Sequence, residues 1–318
     1  KGAAHSSAEP ERFRHRLHPD GQSARKSSHV NVHALKGRNR MIKHSLLALT
    51  LAALAGPALA QSDDTNTWSG FYVGASVGNT DPRGGDDGRI LFDTNLDGAF
   101  GDTVRTGAGA DAFSPGSCGG GAAGRIPSNG CFADKGGTQL GGRVGYDWQM
   151  GNWVFGALAE YAKPDVRDSV SSFSTTPASY TFTRNIDSTI ALRARAGMAF
   201  GRDSAWLAYV TGGAVQAKIE DDFTSSNTAN AFTLSDGGNR RGMQAGLGIE
   251  RKIAGNASLG LEYLRTRIDD EDTTVRASRG TAPATNPFIL VNANGTDFRR
   301  SDDRLDLDTL QLTLNFRF

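Results

Sequence analysis

Histidine is absent from most of this chain, because all six His residues precede Gln61. Residues 61–318 therefore have no Ser-His-Asp or Cys-His catalytic group and no His-ligated metal site. Cysteine is limited to two residues, and no apolar run after Gln61 reaches the roughly 18 residues of a transmembrane helix. If this part of the chain crosses a membrane, it does so with β-strands, whose apolar signal is weaker per segment.

Positive charge is concentrated near the N-terminus. Lys and Arg number 35, ten of them before Gln61, whereas only three of the 34 Asp and Glu residues lie there. The remainder has 25 basic and 31 acidic residues and is acidic overall. An acidic protein repels nucleic acid, so we expect no nucleic-acid partner for residues 61–318.

Residues 41–60 have the three parts of a secretory signal peptide. A positive start at Lys43 is followed by the apolar run 46–55 and by small residues that suit cleavage after Ala60. Residues 1–40 are rich in Arg, Ser and His without apolar periodicity. We interpret 1–40 as a non-native or disordered upstream extension, with a nucleic-acid-binding arm as the alternative. Residues 61–318 are then the mature domain.

Apolar and polar residues alternate with a period of two along the chain, which indicates eight segments that form β-strands. Seven of them have one apolar face, whereas the fifth, 205–219, is apolar on both faces and its phase stays open. In residues 186–200, Ile190 and Leu192 face one side while Arg193 and Arg195 face the other. Segments of about ten residues suffice for a tilted strand to cross a bilayer. The segments are 68–78, 138–149, 153–162, 186–200, 205–219, 242–252, 257–267 and 310–318.

Tight turns and long connections alternate between these segments, the long ones being 79–137, 163–185, 220–241 and 268–304. Outer-membrane barrels have this asymmetry, with short periplasmic turns and long extracellular loops. The sequence therefore predicts an all-β protein, an eight-stranded antiparallel transmembrane up-and-down β-barrel over 61–318. A soluble β-sandwich or lipocalin-like barrel also alternates and is the alternative.

Charged residues on the faces opposite the apolar ones favour the membrane barrel. Unpaired buried charge is costly, so five acids facing five bases predict ion pairs in a closed lumen. Aromatic residues at the strand ends, such as Trp148 and Trp153, are typical of membrane-interface girdles. The predicted lumen residues are Arg143, Asp147, Glu160, Asp187, Arg193, Arg195, Lys218, Glu250, Glu262 and Arg317.

Short motifs recur in most of these segments: Trp68-Ser-Gly-Phe-Tyr-Val-Gly, Val144-Gly-Tyr-Asp-Trp-Gln, Gly246-Leu-Gly-Ile-Glu250 and the terminal Phe316-Arg-Phe318. In combination they resemble the small outer-membrane β-barrel surface-antigen family, the OmpA-like and opacity-like porin-family proteins. The resemblance implies an eight-stranded barrel in a Gram-negative outer membrane, without catalytic residues or cofactors. It also implies that Phe318 is the signal recognised by the barrel-assembly machinery.

Both cysteines, Cys118 and Cys131, lie in the first long connection. Disulfides persist in oxidising compartments, so we expect these residues to form one. Closing a loop of this length stabilises a fold by about 3 kcal/mol in the chain-entropy model. Two free thiols are the alternative, and a disulfide here would not indicate a ligand.

Residues 93–98 match the start of a calcium-binding loop. Asp93, Asn95 and Asp97 supply oxygen at alternate positions, and Gly98 occupies the sixth position. The bidentate Glu of such loops is missing, and Asp102 is the substitute that the sequence offers. The alternative is a solvated loop rich in Asp and Asn.

Seven Arg residues cluster near the loop ends of the last three predicted strands. Guanidinium groups suit phosphate, so lipopolysaccharide in the outer leaflet is a candidate partner. Pairing with neighbouring carboxylates is the alternative. The residues are Arg240, Arg241, Arg265, Arg267, Arg299, Arg300 and Arg304.

The predicted function is non-enzymatic: a barrel in the bacterial outer membrane that contributes to envelope structure and contacts unidentified surface ligands through its long loops. Outer-membrane lipids are the expected surroundings, and no cofactor is expected. A narrow porin-like channel for ions or small solutes is the alternative. The bore of eight strands is just wide enough for side chains to fill, which counts against an open pore.

Overall fold

The computed structural model describes residues 67–83, 88–235, 238–270 and 273–318. The predicted upstream extension and signal peptide lie outside the described residues. In the described ranges the helices are short 3₁₀ turns at Pro127–Asn129, Arg202–Ser204 and Pro287–Ile289. None of the helices in these ranges is long and apolar enough to cross a membrane.

The described residues form sixteen strands. In chain order they are β1 (Gly70–Pro82), β2 (Ile90–Asp93), β3 (Gly116–Gly119), β4 (Gly121–Ala122), β5 (Cys131–Phe132), β6 (Gly137–Met150), β7 (Trp153–Pro164), β8 (Arg167–Ser174), β9 (Ala178–Phe200), β10 (Trp206–Ser225), β11 (Ala231–Ser235), β12 (Asn239–Ala254), β13 (Ala257–Asp269), β14 (Thr274–Ser278), β15 (Thr296–Arg300) and β16 (Arg304–Arg317).

Eight of these strands close into an antiparallel barrel, which confirms the predicted fold class. Their order around the barrel is β1, β6, β7, β9, β10, β12, β13 and β16, and β16 pairs back with β1. Each overlaps one predicted segment. At one end, the turn end, short turns join β6 to β7, β9 to β10 and β12 to β13. At the other, the loop end, the connections are long.

The outer face of the barrel is apolar and its inner face polar. Leu192 is 64% exposed, whereas the adjacent Arg193 is 1% exposed, because successive strand residues point to opposite faces. Aromatic side chains mark the two ends of the apolar surface. Exposed Trp148 and Trp153 lie at the turn end, and exposed Tyr161 and Tyr263 lie towards the loop end.

The long connections fold into a second, smaller structure that we call the cap. It comprises the long connections themselves, with the strands β2, β3, β8, β11, β14 and β15, and it includes residues 178–186 of β9 and 219–225 of β10. One of its sheets continues the barrel wall, in the order β3, β8, β9, β10. The other has the order β11, β14, β15, β2. The two sheets share one hydrophobic core.

Strand β9 begins at Ala178, well before the predicted start at 186. The alternation that predicts the strand is interrupted by a β-bulge, where Lys218 pairs with Ser188 but Ile219 pairs with Ile186. Asp187 is the extra residue, so the side-chain phase reverses there. A segment whose phase reverses does not read as one period-two strand, although its backbone continues into the cap.

Candidate functional site

Strand β9 contributes side chains to a stack of layers that fills the molecule from the turn end to the cap. The inward side chains of β9 are buried, and along the strand apolar groups and arginines follow one another in turn. From the turn end towards the cap, the inward residues of β9 that define these layers are Ala199, Arg195, Arg193, Ala191, Ile186, Arg184 and Phe182.

Trp68 closes the turn end. It is fully buried, packs with Ala199 and Leu207, and donates from Nε1 to the carbonyl oxygen of Ser204 at 2.8 Å. The Arg317 guanidinium lies over the indole ring at 5.5 Å and donates to the Trp68 carbonyl at 2.6 Å. The sequence predicts that Trp68 belongs to the first strand, but β1 begins at Gly70. Trp68 instead covers the base of the charged lumen.

The lower ion cluster lies directly above Trp68. Arg195 binds Asp147 through two nitrogens and Glu250 at 3.1 Å, and Arg317 binds Asp147 at 2.9 Å. The Arg195 guanidinium also lies over the rings of two tyrosines, 4.8 Å from the centroid of Tyr72 and 5.1 Å from that of Tyr209. Two bases thus face two acids, which balances the charge.

The upper lumen cluster follows on the next level. Arg143 bridges Glu160 at 2.7 Å and Glu262 at 2.9 Å, and Arg193 contacts the same two carboxylates. Tyr209 adds a hydrogen bond from its hydroxyl to Glu262 at 3.2 Å. Breaking one such buried pair by removing a single partner typically costs about 3–5 kcal/mol, because it leaves an uncompensated charge.

Glycines on the inner face make room for these side chains. A Cβ atom at Gly248 would collide with the Tyr209 ring, and one at Gly156 would collide with Asp147. The small residues that weaken the strand pattern in the sequence are therefore needed for large groups to fit inside eight strands.

An uncharged layer separates the lumen from the cap. Gln139 donates to Gln311 at 3.0 Å and accepts from Thr80 at 3.0 Å. Above this amide pair, apolar residues from five segments pack together across the bore. They are Val166, Ile186, Ala191, Val215, Ala217, Ile219, Ile268, Leu305 and Leu307.

A third ion cluster, the cap-base cluster, lies above the apolar layer. Arg184 binds Asp168 at 2.5 Å, Asp270 at 2.5 Å and Asp302 at 2.7 Å. Two further arginines complete it. Arg240 binds Asp221 and Asp270, and Arg300 binds Asp168 at 2.8 Å and Asp302 at 2.9 Å. The cluster holds three bases and four acids, and it joins segments from three of the four long connections.

The excess of acid at the cap base affects a fifth carboxylate. Burial and then the nearby Asp168 carboxylate raise the pKa of Asp134 to about 6. Asp134 still accepts a hydrogen bond from the Ser169 amide at 2.7 Å. For Asp302, burial acts to raise the pKa, but the Arg300 and Arg184 guanidiniums outweigh it and hold the pKa below its usual range.

The hydrophobic core of the cap is mainly aromatic. Phe298 is fully buried, and its ring lies 5.0 Å from Phe92, 5.1 Å from Phe288 and 6.0 Å from Tyr180, measured between centroids. These rings come from three of the four long connections, the first, the second and the fourth, so the core ties these connections to one another. The pairs with Phe92 and Tyr180 are edge-to-face, an arrangement worth about 0.5–1.5 kcal/mol beyond the area it buries.

The disulfide between Cys118 and Cys131 is present, with a Cα–Cα distance of 6.6 Å. It joins β3 to β5, and β3 pairs with β8 at the side of the cap. The bond is therefore a structural link between two parts of the first connection, and the pairing of β3 with β8 holds this connection against the second.

Two of the predicted lumen residues lie outside the lumen. Asp187 and Lys218 pair with each other at 3.2 Å on the outer surface, with side-chain exposures of 38% and 53%. The bulge at Asp187 turns this residue outwards, and the phase of β10 places Lys218 on the same side. The other eight predicted residues belong to the two lumen clusters.

The four residues of the predicted calcium loop do not form a metal site. Asp93 accepts hydrogen bonds from the amides of Leu96 and Gly98, at 2.7 and 2.8 Å. Asp102 accepts from the amide and hydroxyl of Thr94, and Asn95 donates to Asp97. Within the described ranges no three His, Cys, Asp or Glu side chains are grouped to hold a metal. The carboxylates instead stabilise the turn.

The seven arginines of the predicted lipopolysaccharide patch are dispersed. Arg240 and Arg300 point inwards and belong to the cap-base cluster, while Arg299 lies in the cap at 4.5 Å from the Phe100 ring. The other four lie at the loop end. Arg267 pairs with Asp306 at 3.0 Å, Arg304 lies 3.9 Å from Asp303, and Arg241 and Arg265 are exposed. The prediction that the seven arginines form one continuous patch is therefore wrong. Contact between the outward arginines and lipopolysaccharide stays a prediction.

A family model described as outer membrane protein beta-barrel domain matches residues 46–318. This chain belongs to that family. The family and the closed barrel place the protein in the bacterial outer membrane. Because long connections of such barrels are extracellular, the cap lies outside the cell and Trp68 on the periplasmic side.

The chain is similar in structure to several solved outer-membrane proteins. For OprG from Pseudomonas aeruginosa the identity is 16%, over 79% of this chain and 97% of that one, with a TM-score of 0.46. For Neisserial surface protein A the values are 11%, 79%, 98% and 0.30. For the outer membrane protease OmpT from Escherichia coli they are 10%, 82%, 99% and 0.35. No curated protein sequence matches the chain.

Proposed function

We propose that this protein is a non-enzymatic, non-conducting barrel that holds a rigid folded cap at the cell surface for contact with molecules outside. The observation that carries this proposal is the stack of buried layers along β9. Two ion clusters, an apolar layer and a third ion cluster follow one another between Trp68 and the aromatic core of the cap.

The chemistry of the stack argues against transport. An ion that entered the bore would have to displace paired guanidinium and carboxylate groups and then cross the apolar layer. Moving a bare charge into such surroundings costs several kcal/mol or more. The same pairing argues against catalysis, since each lumen carboxylate is engaged by at least one arginine and residues 61–318 lack histidine.

The cap supports the surface role. Connections without a core of their own are ordinarily mobile, whereas here they share buried aromatic residues and a three-arginine ion cluster, and a disulfide links two parts of the first connection. A surface that is rigid before it meets a partner loses little conformational entropy on binding.

Single-channel recording in planar bilayers tests the proposal. We expect the purified full chain to give no steady unit conductance. A general porin, purified in the same way and recorded in separate bilayers, is the positive control. Steady openings would support the narrow channel if the substitution Ala217→Leu abolished them, because Ala217 faces inwards in the apolar layer. Openings of that kind would overturn the proposal.

A further inference from the structure

The outer end of the cap carries a cleft of about 280 Å³ where all four long connections meet. Residues of the first connection, 106–113, form one side, and residues 174–180, 226–229 and 286–288 form the others. Small-molecule sites in proteins measure roughly 300–1,000 Å³, so this cleft suits a ligand unit of modest size.

Three aromatic rings form the floor of the cleft. Phe113 lies 5.1 Å from Tyr180 and 5.9 Å from Phe288, and the latter two lie 5.7 Å apart, between centroids. Tyr180 and Phe288 are buried, whereas Phe113 is partly exposed and offers its ring to the cleft. The faces of aromatic rings carry negative charge density and attract the slightly positive hydrogens of C–H groups.

The walls contain hydroxyl and amide groups among apolar side chains, and they carry no charge. None of the sixteen lining residues is acidic or basic, although Asp, Glu, Lys and Arg make up 22% of the chain. Thr175, Thr176 and Thr228 are exposed there, and each hydroxyl group both donates and accepts hydrogen bonds. An anionic or cationic ligand would find no opposite charge in this cleft.

Amide groups beside the cleft are fixed before any ligand binds. Asn227 donates to the Tyr180 hydroxyl at 3.1 Å and to Asn230 at 3.0 Å, and Asn230 donates to Asn286 at 3.2 Å. Thr175 also ties the second connection to the first through its backbone hydrogen bond to Ala112. The walls are therefore preorganised, which reduces the entropy lost on binding.

We propose that this cleft binds a neutral sugar unit of a glycan. A pyranose ring presents a C–H face to an aromatic floor and hydroxyl groups to neutral donors and acceptors, which are the two features that the cleft offers together. The proposal rests on the surface role argued above, since it names a class of ligand for the cap.

A glycan array that carries neutral, sulfated and sialylated sugars tests the proposal with the full chain in lipid nanodiscs. We expect selective binding to neutral glycans. We also expect less than about a twofold change in affinity between roughly 50 mM and 500 mM salt, because salt screens charges and the cleft has none. Preference for charged glycans, or no glycan binding, would overturn the proposal without bearing on the conductance result.

Variants that keep the fold locate the site. The pair Thr176→Val and Thr228→Val removes two exposed hydroxyls from the cleft, and we expect at least a tenfold loss of affinity for the neutral glycan. Thr233→Val is the matched control, since Thr233 is exposed on β11 away from the cleft, and it should leave the affinity unchanged. Equal losses in both variants would place binding elsewhere and contradict the proposal.

Discussion

The barrel and the cap bury opposite kinds of side chain. The barrel encloses arginines and carboxylates and exposes Leu192 and Val210, whereas the cap encloses phenylalanines and exposes polar groups. The difference follows from the solvent. Around the barrel, lipid accepts apolar groups and the lumen must satisfy polar ones, while the cap lies in water and folds like a soluble domain. One chain thus follows both rules, and the apolar layer and cap-base cluster join the two parts.

Removing a lumen charge is expected to have the largest effect. Arg195→Met leaves Glu250 without its arginine and Asp147 with Arg317 alone, so we expect the free energy of unfolding to fall by about 3–5 kcal/mol. Urea unfolding in detergent micelles measures it. Arg202→Met, at a side chain that is 97% exposed, is the control and should change nothing measurable. A loss below about 1 kcal/mol for Arg195→Met would show that the lumen pairs do not stabilise the barrel.

Removing a ring from the cap is expected to act locally. Phe298→Ala takes away a fully buried side chain that contacts at least four other rings, and we expect the cap to lose about 3 kcal/mol of stability. Hydrogen exchange should rise in β14 and β15 and stay unchanged in the barrel strands. Phe132→Ala is the matched control, because that ring is 69% exposed. If exchange rose equally in the barrel, the cap and the barrel would be one cooperative unit.

Acidity is expected to give the smallest effect, at the base of the cap. The folded-state pKa of Asp134 is about 6, above its ordinary value of 3.8, so the folded cap binds more protons than the unfolded chain between those values. The contribution of this group to stability is therefore greatest below about pH 4 and declines until about pH 6. Exchange of the Ser169 amide, which bonds to Asp134, should be faster at pH 7 than at pH 5 after correction for intrinsic rates.

The substitution Asp134→Asn isolates that group. It keeps an oxygen acceptor for the Ser169 amide and removes the titration, so the corrected exchange rate should no longer differ between the two pH values. Asp111→Asn is a suitable control, since Asp111 is exposed elsewhere in the cap. A pH dependence that persisted in Asp134→Asn would assign it to another carboxylate of the cluster.

Most of the lumen can be predicted from the sequence because strand alternation is a local property. Arg193 and Arg195 stand two residues apart between outward apolar residues, which is enough to assign them to the inner face. The assignment of Asp187 to the lumen is wrong because a single bulge residue, invisible in a period-two pattern, reverses the phase of β9. The assignment of Lys218 is wrong for another reason: β10 has apolar residues on both faces, so its sequence leaves the phase open, and the structure turns Ala217 and Ile219 inwards. The role of Trp68 was missed, since a residue just before a strand carries no pattern.

The cap core had no period-two signal in the sequence. Strand β2 has four residues and pairs with β15, which lies about two hundred residues later in the chain. Segments this short show no reliable periodicity. Isolated phenylalanines in stretches rich in Gly, Asn and Thr, such as Phe92, Phe113 and Phe298, were the one available indication.

The sequence by itself determined the barrel: the number of its strands, which face meets lipid, and most of the charges that lie inside, because each follows from neighbouring residues on one strand. The tertiary structure alone decided that four long connections form one folded cap, and that Arg240 and Arg300 turn inwards to carboxylates instead of outwards to lipid. These outcomes depend on contacts between residues far apart in the chain, and such contacts exist only once the barrel has brought the four connections to the same end.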